Sequence, residues 1–599
     1  MLLLYNPVMH GARVSIVFPP RGRGAIATFA IAVFATATVT AQPSRPAPER
    51  ATGRTDRAAA TSRHDMVAAA NPLAVDAGLS MLRAGGGAVD AAIAAQFVLN
   101  LVEPQSSGIG GGAFMLVHDA RRGKIVAYDG RETAPAAARP DRFQDGDGKP
   151  LGFVDAVVGG RSVGVPGTVA LLAAAHRRHG RLPWARLFEP AIALAERGFE
   201  VSPRLAALLA AETNFTQPRA RAYFLDADGR PRAVGGVIRN PAFAATLRTI
   251  ASGGAAAFYG GAIARDIVDT VSSAPRNPGD LSLADLANYT VKVREPVCAP
   301  YRAYRVCGMP PPAGGITALQ MLGMLERYDL AAMGPATFWS VHFISEAGRL
   351  AYADRNAYIA DPDFYAVPSW LLDAGYLEQR SRSIATTGSI GRAEPGMPPA
   401  AARKGVFRAE DALEFPSTSH LSIVDRYGNA VAMTSTIEDA FGSRLMTAGG
   451  FLLNNELTDF SFVPVVDGRL VANRVEPGKR PRSAMAPTIV HDRAGHVYAV
   501  VGSGGGPAIV NYVVKTLVSV LDWKLDPQAA AVLPNFGSRN GPTELERGTA
   551  AGALEPRLRA LGHETRLLDQ TSATQAIVRT KHGWAGGADP RREGTAAGD

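Results

Sequence analysis

Apolar and polar positions alternate with a changing period along this chain. From Met66 to Val102 the run MVAAANPLAVDAGLSMLRAGGGAVDAAIAAQFVLNLV has helical spacing and predicts two alanine-rich helices, broken at Gly85-Gly86-Gly87. SSGIGGGAFMLVHD then leads into a strand, and KIVAYDGRE supplies another. The stretch from Gly164 to Thr290 is mainly helical, as in GTVALLAAAHRRHG, WARLFEPAIALAERG and NPAFAATLRTIASGG. Residues 291–309 read as strands, and Gly314 to Tyr358 returns to helix. Residues 380–415 lose periodicity and are rich in Arg, Gly, Pro and Ala, which predicts an exposed linker. Strand-rich sequence resumes at Thr418. The apolar run containing IVNYVV predicts a buried helix after Gly506. Strands at both ends with helices around them predict α/β (α+β) layers, not a parallel βαβ series.

The most informative segment begins at Ser417 and reads STSHLSIVDRYGNAVAMTSTI. LSIVD and AVAMTSTI are β-branched and partly alternating, and Arg426-Tyr427-Gly428-Asn429 has turn chemistry. Folding this hairpin about Tyr427 sets Thr418 opposite Thr436, on one face and within reach of small side chains. A threonine at a strand start, supported by a second, suits an N-terminal nucleophile if the chain is cut before Thr418. Taken alone, the same residues also fit a Thr/Ser-rich edge hairpin.

Composition sets outer limits. At 599 residues the chain exceeds one ordinary core, so two cores or one large interlocked body are expected. A hydrophobic content of 47% and a charged content of 20% are those of a soluble globular protein. The net charge of +9 comes largely from scattered arginines, with no dense basic run interleaved with aromatics, so nucleic acid is not an expected partner. Arg21 and Arg23 precede the apolar GAIATFAIAVFATATVTA, and Val39-Thr40-Ala41 suits a signal-peptidase cut. Residues 1–41 are therefore expected to be a signal peptide for a periplasmic or secreted protein, without stable membrane insertion. Residues 42–63, rich in Pro, Ala, Arg and Thr, are expected to be disordered. The two cysteines, Cys298 and Cys307, flank a segment able to turn back on itself, and export permits a disulfide. The 11 histidines show no HExxH spacing, and no structural zinc is expected.

Two glycine runs, GIGGGAF at 108–114 and GSGGGPA at 502–508, fit neither GxGxxG nor GxxxxGK[ST]. The second follows a strand and precedes a helix, a junction whose free N–H groups suit an oxyanion or carboxylate. Arg131 in YDGRETAP sits at a strand end, where a guanidinium can clamp a carboxylate through two parallel bonds. LLNNELTDFSF places Glu456 and Asp459 after a strand, and Ser483 ends the basic loop PGKRPRSAMAPTIV. Carboxylates there can hold a substrate ammonium, and loop capping is the plainer use of the same residues.

In this order, GIGGGAFML, DGRETAP, GVPGTV, YRAYRVCGMPPPAGG, AYADRNAYIADPDF, the 417–437 hairpin, NNELTDFS, PGKRPRSAMAPTI and VGSGGG resemble the gamma-glutamyltransferase (gamma-glutamyltranspeptidase) family. The resemblance runs from about residue 64 to about residue 592. It implies a four-layer αββα Ntn-hydrolase sandwich, self-cleaved at Ser417–Thr418 into interlocked subunits, 64–417 and 418–599. It implies Thr418 as nucleophile, Thr436 as its hydrogen-bond partner, and the Gly505 and Gly506 N–H groups as oxyanion donors. Arg131 and Ser483 match the carboxylate clamp, and Glu456 and Asp459 match the ammonium ligands. Two positions depart from the family pattern: Ala484 replaces a second serine, and Glu438 replaces an asparagine. The implied donors are glutathione-like γ-glutamyl compounds, the acceptors are water, amino acids or peptides, and no cofactor is required. Glu438 and Ala484 keep open an Ntn acylase acting on glutaryl or cephalosporin-type amides. An uncleaved periplasmic protein that binds γ-glutamyl compounds is a third reading, opposed by the intact Thr418, Thr436 and Gly505-Gly506 set.

Overall fold

The computed structural model describes residue 49, residues 51–397 and residues 417–599. The expected signal peptide and half of the expected 380–415 linker, residues 398–415, lie outside the described residues. Two seven-stranded sheets form the centre. The first runs, in spatial order, Thr595–Gly598, Met66–Ala69, Ser419–Val424, Ala430–Thr436, Gly112–Asp119, Lys124–Gly130 and Lys292–Arg294. The second runs Ala60–Ser62, Gly583–Ala588, Gln575–Thr580, Val497–Gly502, Thr488–His491, Tyr304–Gly308 and Val297–Tyr301. Every neighbouring pair in both is antiparallel.

Alternation along the strands builds the layers. Leu421, Ile423, Val431, Met433, Met115 and Val117 share one face and pack with helices Pro72–Arg83 and Ala88–Val102. Helix Ala88–Val102 is buried on every side, which explains why its sequence is apolar all round rather than amphipathic. Phe114, Leu116, Ala430 and Ala432 point the other way and pack with Ile489, Val500 and Ile577 of the second sheet. Helices Gly315–Leu325, Phe338–Tyr358 and Ile509–Leu521 share that core. The result is the expected αββα sandwich.

The hairpin register pairs Ser419 with Ser435 and Leu421 with Met433, so Thr418 comes opposite Thr436 as the turn chemistry predicts. Asp425 fixes the turn by accepting from the N–H groups of Tyr427 and Asn429 and, through its other oxygen, from Ala88 at the start of the buried helix. Cys298 and Cys307 face one another on adjacent strands and are disulfide-bonded. One expectation fails in its described part. The segment expected to be disordered, 42–63, docks on the C-terminal strands: Ala60–Ser62 pairs with Gly583–Ala588, Thr55 N–H donates to Pro590 O at 3.0 Å, and Glu49 is buried. Composition favours disorder in such a run, and partners more than 500 positions away override it.

Candidate active site

Period two sends Thr418, His420 and Ser422 to the face between the sheets, and Ser419 to the helix side. His420 is held between Thr434 Oγ1 at 2.8 Å and Ser422 Oγ at 3.0 Å; burial pushes its pKa down to about 3, so it is neutral. Thr418 itself has φ +89°, an outlier for a β-branched residue that costs on the order of 1–3 kcal/mol. Three ties hold it there. Its Oγ1 donates to Thr436 Oγ1 at 3.0 Å. Its carbonyl accepts from Arg592 Nη1 at 3.1 Å. The preceding carbonyl, Ser417 O, accepts from Gly505 N–H at 2.9 Å. Thr436 Oγ1 also accepts from Glu438 N–H at 2.9 Å.

The glycine run makes this approach possible. A Cβ on Gly504 would come within 2.2 Å of Thr418 O, and Gly505 has φ +123°. Gly506 opens the 3-10 turn Gly506–Ala508 that feeds helix Ile509–Leu521, so the positive end of that helix faces the site.

Arg131 follows strand Lys124–Gly130 and is fully buried. Its guanidinium donates to Glu456 and Asp459, to Pro481 O at 3.2 Å and to Arg482 O at 2.9 Å. The groups expected to grip opposite ends of an amino acid are thus paired with each other. Glu456 and Asp459 lie three positions apart on the 3-10 turn Glu456–Asp459, which brings both to one side. Glu132, a residue the sequence did not single out, is also fully buried, 3.8 Å from Arg131 Nη1, and its carboxyl meets that of Glu456. Burial pushes Glu132 to about 7 and Glu456 to about 8. The two carboxyls are hydrogen-bonded to each other, and a proton shared between them offsets the repulsion of two buried carboxylates.

Glu438 has φ +77°, and its carboxylate accepts from Asn455 Nδ2. Ser483 Oγ accepts from Met485 N–H at 3.1 Å, and Ala484 beside it offers no hydroxyl. A small cavity is lined by Arg131, Thr418, Thr436, Glu438, Glu456, Asp459, Ser483 and Gly506, with Ala484 also on its wall. Ser417 and Gly505 are outside the lining and bonded to each other. Sequence reasoning missed Arg592 and Glu132. Arg592 is 174 positions from Thr418, so no local spacing signals it, whereas Glu132 stands inside the DGRE block already marked by Arg131. Among the described residues one buried trio, His342, Glu346 and His563, has ligand-like spacing. Its imidazole nitrogens are already engaged with each other, with Ala385 O and with Thr543 Oγ1.

Chemically, the cavity presents a hydroxyl on a strained backbone, an N–H on the adjacent carbonyl, and an acid-rich pocket around one guanidinium. The family model described as "Gamma-glutamyltranspeptidase" matches residues 74–599. The "Glutathione hydrolase proenzyme" of Bacillus subtilis (strain 168) is 36% identical over 546 residues, 89% of this chain and 91% of that protein. The "Acylase ACY 1 proenzyme" of Pseudomonas sp. (strain V22) is 34% identical over 528 residues, 87% of this chain and 90% of that protein. Among solved structures, cephalosporin acylase from Bacillus halodurans superposes with a TM-score of 0.79 at 29% identity, covering 91% of this chain and 97% of that one.

Proposed function

The chain belongs to the gamma-glutamyltranspeptidase family, and on that premise we propose that Thr418 is an N-terminal nucleophile made by self-cleavage of the Ser417–Thr418 bond. The protein is an enzyme of the family's kind, a γ-glutamyltransferase and glutathione hydrolase. The observation that carries the mechanism is the Gly505 N–H on Ser417 O at 2.9 Å, beside a Thr418 held at φ +89°. The donor is already aimed at the oxygen that becomes negative, and breaking the bond relieves the strained backbone.

Thr418 Oγ1 adds to the Ser417 carbonyl carbon, and the C–N bond then breaks. The hydroxyl proton passes to the leaving nitrogen, and an ester replaces the amide. Water hydrolyses that ester, leaving a carboxylate on Ser417 and a free hydroxyl and α-amine on Thr418. An α-amine has an ordinary pKa of about 7.7–8.0, so the same residue now supplies nucleophile and base. In turnover Oγ1 attacks the δ-carbonyl of a γ-glutamyl donor, with Gly505 and Gly506 N–H groups stabilising the oxyanion. The amine portion leaves with a proton, and water or an amino acid or peptide amine takes the γ-glutamyl group. Every bond in this sequence is made by groups of the chain and the substrates, and no cofactor enters it.

Donor recognition follows from the pocket's charge. An amino-acid end brings a carboxylate and an ammonium together, matching the existing Arg131–Glu456–Asp459 ion pairs. Arg131, assisted by Ser483, takes the carboxylate; Glu456, Asp459 and Glu438 take the ammonium. Ala484 and Glu438, with the likeness to cephalosporin acylase, support the acylase reading. Against it stands the acid-rich cavity wall, where Glu438, Glu456 and Asp459 face one guanidinium and the proton-sharing Glu132–Glu456 pair still carries one negative charge. A glutaryl group brings a carboxylate and no cation, and like charges 4 Å apart repel by about 4 kcal/mol at an effective dielectric of about 20. Hydrolysis of γ-glutamyl-p-nitroanilide is expected to exceed that of glutaryl-p-nitroanilide; a glutaryl preference reverses the assignment. N-terminal sequencing of the smaller fragment is expected to start at Thr418, and one uncut band from active protein sinks the mechanism.

Cleavage of the leader after Ala41 would deliver the enzyme to the periplasm or medium, its large subunit ending at Ser417. Among the described residues no helix is long and apolar enough to cross a membrane.

A further inference from the structure

We propose that Glu49 is a positioning residue for Thr418, acting through Arg592. The inference rests on the reading of Thr418 as nucleophile. Glu49 lies ahead of the span matched by the family model, which begins at residue 74, yet it is only 8% exposed. Its Oε1 accepts from Arg204 Nε at 2.7 Å, and its Oε2 accepts from Arg204 Nη2 at 3.0 Å and from Arg592 Nη2. Arg592 Nη1 donates to Thr418 O. On the other side, Arg204 Nη1 donates to Glu103 Oε1 at 2.6 Å, and Glu103 Oε2 accepts from Ser419 Oγ at 2.7 Å. The chain of contacts therefore leaves the Thr418 carbonyl, passes through Arg592, Glu49, Arg204 and Glu103, and returns at the hydroxyl of the next residue.

All four charged side chains in this ring are buried, two cations against two anions. A buried guanidinium left without its counterion is strongly disfavoured and turns toward another carboxylate. Asp589 is near enough to compete for Arg592, and Glu593 for Arg204. Without Glu49, Arg592 has reason to leave the Thr418 carbonyl, and Thr418 loses one of the three ties that hold it at φ +89°.

Charge gives a second consequence. After cleavage the catalytic amine belongs to the residue whose carbonyl Arg592 holds. The charged groups around it are Arg592 and Arg204 with the carboxylates Glu49, Glu103, Glu593 and Asp589 on one side, and Glu438, Arg131, Glu456 and Asp459 on the cavity side. Removing the Glu49 charge leaves this surround more positive. That favours the neutral amine and moves its titration to lower pH.

The test uses the full chain carrying Glu49→Gln, Glu49→Asp or Arg57→Ala. Arg57 anchors the same segment by donating to Gly594 O at 3.2 Å and takes no part in the charge ring. For Glu49→Gln, self-cleavage and kcat on γ-glutamyl-p-nitroanilide are expected to fall about tenfold, with KM within about twofold. The acid limb of its kcat–pH profile is expected to move down by about half a unit or more. Glu49→Asp, which keeps the charge but is one methylene shorter, should lose about threefold in kcat while keeping the parent's acid limb, and Arg57→Ala should match the parent. A parent-like kcat and acid limb in Glu49→Gln overturns the proposal, as does an equal effect from Arg57→Ala. If Glu49→Gln unfolds too readily to assay, the kcat of Glu49→Asp carries the test. A value below the parent supports the proposal, and a parent-like value overturns it. Thr418→Ala separates the two readings: cleavage in that variant removes the nucleophile, whereas an inert Thr418→Ala beside a parent-like Glu49→Gln removes only Glu49.

Discussion

Thr418 is held at φ +89° with its hydroxyl 3.0 Å from that of Thr436, and that single contact is testable. Thr436→Ala is expected to slow self-cleavage about fivefold to tenfold, the rate equivalent of about 1 kcal/mol for one hydrogen bond. Thr436→Ser should stay near the parent in a gel time course. The carboxyl pair beside Arg131 gives a pH signature. Burial holds Glu132 at about 7 and Glu456 at about 8 in the folded protein, against about 4.3 in an unfolded chain. The folded state thus binds more protons between those values, so this contribution is fully present below about pH 4.3 and is lost as pH rises through 7 and 8. Glu456→Gln is expected to flatten the fall in Tm between about pH 5 and 8. An unchanged slope would show that the pair holds no shared proton. Glu438 sits on the cavity wall where the family pattern has asparagine. Glu438→Gln removes one negative charge from the cavity wall and should narrow the preference for γ-glutamyl over glutaryl donors about tenfold, as the ratio of kcat/KM values.

At the scale of elements, the site is a meeting of two junctions. One is the start of strand Ser419–Val424, and the other is the glycine turn between strand Val497–Gly502 and helix Ile509–Leu521. The first was legible because turn residues fix a hairpin's register, and Thr418 opposite Thr436 follows from counting outward from Tyr427. The second was legible as a strand-to-helix junction with free N–H groups, but its aim at Ser417 O was not. That aim depends on Gly505 at φ +123° and on packing of one sheet over the other. A methyl group on Gly505 would meet Tyr512 Cε2 at 2.7 Å as well as strain the backbone. Gly505→Ala is therefore expected to slow self-cleavage about a hundredfold, in line with loss of an oxyanion donor. A cleavage rate equal to the parent would remove this N–H from the mechanism.

In the whole molecule, the two parts on either side of Ser417 are interleaved strand by strand. Ser419–Val424 is sandwiched between Met66–Ala69 and Ala430–Thr436, and the latter pairs with Gly112–Asp119. The fragments left by cleavage should therefore co-elute in size-exclusion chromatography and unfold in one transition, separating only in denaturant. Free small fragment under native conditions would contradict this. The sequence by itself determined the periodic elements, the hairpin register, the layered fold class and, through ordered blocks, the residues around the cavity. These rest on local rules, 3.6 or 2 positions per repeat and turn chemistry, or on short motifs that keep their spacing. Tertiary structure alone decided that Arg131 is paired with Glu456 and Asp459, that Glu132 joins Glu456, and that Arg592 holds the Thr418 carbonyl. It also decided that Glu49, in a run whose composition predicts disorder, is buried against the Arg592 that holds Thr418. Those contacts join residues more than 170 positions apart, except Glu132 to Arg131. Charge pairing at that range follows from which surfaces the two sheets bring together, and no periodicity in the chain encodes it.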